Sequence, residues 1–179
     1  MAFLEITSLS QLCKNLNMGA GYNGYSDMLQ SVNLPKIEWE KYCSWKDNRY
    51  TRNCIASCED SYELLLLCWK KNQESPVHNF LFQESWFTVL EGELTIEYYE
   101  VDRNEKCGHK LESTTLKKGE SIYLNDEMGF HKVINTNSEN TISLHLNVAP
   151  VKQWEVFRSC RQALITVSPL LDTKSDECD

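Results

Sequence analysis

The spacing of apolar residues changes character near residue 49. Before that point it is helical. Leu9, Leu12, Cys13 and Leu16 recur at intervals of three and four, with Ser8 or Ser10 placed to cap the first turn and Gly19 to stop the last. Beyond the flexible Gly19-Ala20-Gly21-Tyr22-Asn23-Gly24 stretch, Ser26–Val32 is predicted as a second short helix. Pro35 opens a further turn over Ile37–Tyr42, because proline suits a helix start. From Arg49 onward short β-rich runs alternate with turn signals. Strands are predicted over Thr51–Ser57, Tyr62–Trp69, Trp86–Leu90, Glu93–Val101, Lys110–Leu116, Ser121–Leu124, His131–Thr136, Thr141–Val148 and Gln162–Val167. Polar connectors such as Asn104–Gly108 and Thr136–Asn140 separate them, and Glu91-Gly92 marks a turn. Many short strands at regular spacing point to a mainly β sandwich or barrel. Three stretches follow: an N-terminal helical segment (1–48) packed on the barrel, a β domain (49–170) and a flexible acidic tail (171–179).

The chain of 179 residues suits one core-forming β domain. Its net charge of −8, from 18 basic and 26 acidic residues, argues against a nucleic-acid surface, which needs a basic stripe. The pairs Lys70-Lys71 and Lys117-Lys118 read as solvated loop charges. No apolar run approaches the ~18–20 residues that span a bilayer. The longest, Leu64–Trp69, reads as a buried strand. The first residues lack the layout of a signal peptide, so a cytoplasmic location is the expectation. The 8 cysteines form no CxxC pair; Cys54 and Cys58 have no downstream partner pair. Free thiols, several buried as small hydrophobes, are therefore expected rather than a zinc ribbon or a disulfide framework.

Candidate chemistry centres on Pro76-Val77-His78-Asn79-Phe80. Alternate residues of a strand share a face, so a His-x-His pair there would aim two imidazoles into a barrel. Here the pair reads His78 and Phe80, and the next histidine is His131, within Gly129–Asn135. His109 lies in a polar loop and reads as surface.

Further motifs align around these histidines: Arg49-Tyr50-Thr51-Arg52-Asn53, Leu67-Cys68-Trp69 followed by His78, Tyr123-Leu124-Asn125-Asp126, Gly129-Phe130-His131, and Ser143-Leu144-His145-Leu146. In order and spacing this set resembles cysteine dioxygenase, from about Trp39 to Phe157 and more weakly to Val167. The resemblance implies a cupin-type double-stranded β-helix, or jelly-roll barrel, with short N-terminal helices. It also implies oxidation of the thiol of L-cysteine to cysteine sulfinate with O2 at a mononuclear non-heme Fe(II), by a monomer with neither nucleic-acid nor membrane partners. His78 and His131 match two of the family's three iron-binding histidines, and the third position falls on Phe80. Arg52 and Tyr50 match the residues that hold the cysteine carboxylate. A guanidinium fork suits that task, although Arg52 taken alone could equally form a salt bridge.

The row Ser143, His145, Asn147 points inward together, and Asn147 stands where the family has a tyrosine hydroxyl near substrate and oxygen. Ser85 matches the cysteine that some members crosslink to that tyrosine. His145 reads either as supporting the chemistry or as a core histidine satisfied by serine. Glu84 is the nearby carboxylate that could replace the missing ligand, since two histidines and a carboxylate also hold non-heme iron. Counted from Gly92, however, Ser85 and not Glu84 takes the inward position unless a bulge intervenes. These departures imply weakly held Fe(II). They set beside the enzyme an alternative: an impaired or inactive cupin that binds cysteine or another small amino acid without oxidising it.

Overall fold

The computed structural model describes residues 4–20, 24–59, 61–81, 83–105, 107–159 and 163–173. Three short helices come first: α1 (Leu9–Asn17), α2 (Tyr25–Gln30) and α3 (Lys36–Trp39), the last continuing as a 3-10 turn over Glu40–Tyr42. Ser8 caps α1, its hydroxyl accepting from the Gln11 N–H at 3.2 Å. Among the described residues eleven strands follow: β1 (Thr51–Cys58), β2 (Tyr62–Trp69), β3 (Val77–Phe80), β4 (Glu84–Glu91), β5 (Glu93–Asp102), β6 (Cys107–Lys117), β7 (Ser121–Asn125), β8 (Phe130–Ile134), β9 (Thr141–Val148), β10 (Trp154–Arg158) and β11 (Ala163–Val167).

These strands make two antiparallel sheets, one ordered β1-β2-β9-β4-β7 and the other β11-β10-β3-β8-β5-β6. The mainly β jelly-roll architecture with short leading helices is therefore present. No helix among the described residues is long and apolar enough to cross a membrane.

The five-stranded sheet is covered on both sides. Its outer row, including Tyr62, Leu64, Leu66, Cys68, Leu144 and Leu146, packs against Leu9, Leu12, Leu16, Leu29 and Trp39 of the helical segment. Its inner row, including Leu65, Leu67, Trp69, Phe87 and Val89, packs against Leu94, Ile96, Val133, Trp154 and Val156 of the second sheet. Burial on two faces explains why β2 is apolar almost throughout instead of alternating.

The two elements missing from the sequence prediction, β3 and β10, pair with each other (Trp154 opposite Phe80, Val156 opposite His78). Both are short, and β10 mixes Glu155 into its apolar residues. β6 begins at Cys107, so His109 is an exposed strand residue and not part of a loop.

The tail also departs from expectation. Asp172 is held by Arg49 at 2.8 Å and 2.5 Å, by Lys46 at 2.6 Å and by the Arg52 N–H at 2.9 Å. Thr173 bridges to Asn53. The chain is thus pinned to β1 through Thr173; the rest of the expected tail, and Gln162, lie outside the described residues. Among the described residues Cys43, Cys58, Cys68 and Cys107 are free thiols, and Cys54 and Cys68 are buried.

Candidate functional site

The inward rows of both sheets converge on a small cavity of about 40 Å³. Tyr50, Arg52, Ser85, His145 and Asn147 line it from the five-stranded side, and His78, Phe80, His131 and Trp154 from the other. Most sequence-derived candidates are thus brought together. Strand register does this: His78 pairs with His131, and Ser85 pairs with Asn147.

Glu84 is the exception. It is exposed, and it accepts a hydrogen bond from the Tyr123 hydroxyl. β4 runs regularly through Glu84–Val89, with its irregularity only beyond Val89, so no bulge turns Glu84 inward. The structure corrects the suggestion that this carboxylate could complete a ligand set.

His78 and His131 lie with ring centroids 4.3 Å apart and are almost fully buried. Nδ1 of His78 is 2.8 Å from the Pro76 carbonyl oxygen. A carbonyl only accepts, so Nδ1 carries the proton and Nε2 keeps its lone pair. Burial lowers the pKa of His78 to about 4, against the opposing pull of the Pro76 carbonyl. Burial likewise holds His131 well below the ordinary histidine value, reinforced by its neighbours His78 and His145. Both are neutral at pH 7, the form that binds metals.

The third side of the pair is closed by Phe80. Its ring centroid is 5.7 Å from that of His78, edge-on, and 5.2 Å from that of His131. His145 does not replace it. Its Nε2 lies 2.8 Å from Ser143 Oγ, which in turn accepts from Trp69 Nε1 at 2.9 Å. The indole can only donate, so Ser143 Oγ bridges Trp69 and His145 and engages the imidazole nitrogen. His145 also stacks on Phe87 at 4.6 Å, and burial lowers its pKa to about 3. Among the described residues no group of three or more His, Cys, Asp or Glu side chains is placed to hold a metal ion. A three-imidazole iron centre does not fit this donor set.

The Arg52 side is equally altered. Arg52 Nη2 is 3.6 Å from Glu63 Oε2, both residues being buried. Asn147 Nδ2 donates to the same oxygen at 2.9 Å. The face of the guanidinium lies 4.6 Å from the Trp154 ring, which also stacks on His78 at 4.6 Å. Tyr50 stacks on Trp69 at 4.2 Å, and burial raises its pKa.

Sequence reasoning missed Glu63 and Trp154. Glu63 could have been found by strand parity: it shares an inward row with Leu65, Leu67 and Trp69, where a carboxylate stands out. Trp154 gave no comparable signal, because its strand was not predicted.

Comparison with known proteins agrees with the fold. The chain is 28% identical over 138 residues to cysteine dioxygenase type 1 of Danio rerio, covering 75% of this chain. It is 28% identical over 132 residues to cysteine dioxygenase type 1 of Homo sapiens, covering 73% of this chain. In both cases the match spans 66% of the relative's length, just under two thirds. Among solved structures, a conserved protein with a double-stranded β-helix domain from Klebsiella pneumoniae superposes with a TM-score of 0.51 at 16% identity, over 66% of this chain and 93% of that one, a likeness of fold alone. The family described as Cysteine dioxygenase type I matches residues 18–160. With most of the chain inside that match, the protein belongs to the cysteine dioxygenase type I family.

Proposed function

We propose that this chain is a family member in which the oxidation of L-cysteine to cysteine sulfinate is impaired or lost, with Fe(II) held weakly by His78 and His131. The observation that carries this reading is the Phe80 ring on the third side of the histidine pair. Loss of a residue that merely orients a metal ligand costs about 10–100-fold in affinity. Loss of a liganding imidazole costs more.

Two further observations support it. Asn147 is an amide, which cannot exchange a proton as a phenol does, and its nitrogen is committed to Glu63. A cavity of about 40 Å³ has room for a water molecule or two but not for an amino acid.

Family membership and the Pro76 carbonyl behind His78 favour a second reading, a slow dioxygenase. Metal-bound histidines usually have such a carbonyl partner. One experiment separates the two: iron content after expression in iron-supplemented medium, followed by oxygen uptake and sulfinate formation on addition of L-cysteine. The impaired reading expects far less than one iron per chain and no sulfinate above a protein-free control. Stoichiometric iron with sustained turnover overturns it.

A further inference from the structure

Among the described residues buried in the core, two are charged: Arg52 on β1 and Glu63 on β2. Neither is isolated. Glu63 Oε2 is 3.6 Å from Arg52 Nη2 and accepts from Asn147 Nδ2 at 2.9 Å. The three positions sit on adjacent strands, Glu63 directly opposite Asn147 and Arg52 opposite Leu67. They form a closed unit: a cation, its carboxylate, and an amide that keeps the carboxylate in place.

A guanidinium on a cavity wall is a receptor for carboxylates, because its donors match their oxygens two at a time. A buried arginine without a counter-ion would draw such an anion from solution, since an unpaired charge in the core is costly. Here the counter-ion is part of the chain. The space between Arg52 and His78 is taken as well, because the Trp154 indole stacks on both.

We propose that Glu63 is a specificity-determining residue of this pocket. As a built-in counter-ion for Arg52, it closes the cavity to free carboxylates, amino acids included. Trp154 adds a steric barrier to the electrostatic one. What remains is a guest site for neutral species the size of water. Arg52 Nε and Trp154 Nε1 are buried without a hydrogen-bond partner from the protein, and both residues line the cavity, so they are donors a water there could satisfy. The inference concerns the pocket of the proposed function but does not depend on its metal chemistry; it would stand even if iron bound tightly.

The test uses the full-length protein without added metal, with formate and acetate, the smallest carboxylates, as probes. Binding is followed by tryptophan fluorescence and by thermal denaturation. In the wild type the expected result is no saturable response to either anion. Glu63→Gln keeps the shape and removes the charge. It is expected to bind formate at least tenfold more tightly than the wild type, with a melting temperature that rises with formate concentration. Adding Arg52→Gln to that variant should abolish the response.

Two results overturn the proposal: saturable formate binding by the wild type that Arg52→Gln removes, or a folded Glu63→Gln protein that binds formate no better than the wild type. Should Glu63→Gln fail to fold, Glu63→Asp draws the charge back from Arg52 and is expected to gain part of the affinity. The wild-type titration decides independently. None of these readouts involves iron or oxygen, so they can fail while the impaired-oxidation reading holds; sustained turnover of L-cysteine would count against both.

Discussion

Replacing Phe80 by histidine tests the site most directly. Residue 80 shares a strand face with His78, and its ring already lies beside both histidines. A histidine there would place a third imidazole on the side of the pair that Phe80 closes. In the absence of metal the change is destabilising. Phe80 is only 6% exposed. Burying a polar ring without a partner costs about 1–3 kcal/mol, and weakened aromatic contacts add about 0.5–1.5 kcal/mol. At roughly 2–4 °C per kcal/mol for a chain of this size, a fall in melting temperature of roughly 3–18 °C is expected.

Fe(II) then works in the opposite direction. If the added ligand tightens binding by ~100-fold, the minimum suggested by the effect of orienting residues, metal binding gains about 2.8 kcal/mol. That largely offsets the loss. Anaerobic titration with Fe(II), read by calorimetry and by melting temperature, should therefore show a steep metal response in Phe80→His and a shallow one in the wild type. Equal responses in the two proteins would refute the assignment of position 80 to the ligand set.

Other outcomes follow from the scaffold. Asp172→Asn should cost about 2 kcal/mol at pH 7 in urea denaturation. Burial pushes this carboxyl up, but Arg49, Lys46 and the Arg52 N–H outweigh it and hold the pKa at about 2. Because the folded value is depressed, the stabilisation is complete above about pH 4 and disappears as the pH falls through about 2. The wild-type advantage over Asp172→Asn should shrink across that window. Gly92→Ala should destabilise by more than about 1 kcal/mol, since φ is +83° and a Cβ would run into Thr141 Oγ1. Leu66→Ala, in the wholly buried β2 strand, should cost about 2–5 kcal/mol with unchanged strand content by circular dichroism.

Periodicity alone disclosed the strands that are long or flanked by clear turns, because alternation and turn chemistry are local properties. α1 was legible from Leu9, Leu12 and Leu16 together with its Ser8 cap. Parity from Gly92 correctly turned Ser85 inward and Glu84 outward. The ordered motifs around Arg52, His78, His131 and His145 placed those residues in one cavity before any register was known.

What stayed hidden was set by contacts between distant parts of the chain. β3 and β10 are held by pairing with each other and carry little pattern of their own. Asp172 looks like tail in the sequence, and becomes structural only because Arg49 and Lys46 surround it. Glu63 and Asn147 are 84 residues apart, and their meeting across adjacent strands makes Asn147 the amide that holds the counter-ion of Arg52. The sequence determined which donors this protein has, because that is a matter of residue type and strand parity. Tertiary structure alone decided which of them remain available, because occupancy by Phe80, Glu63 and Trp154 depends on how separate strands stack side chains into one shared volume.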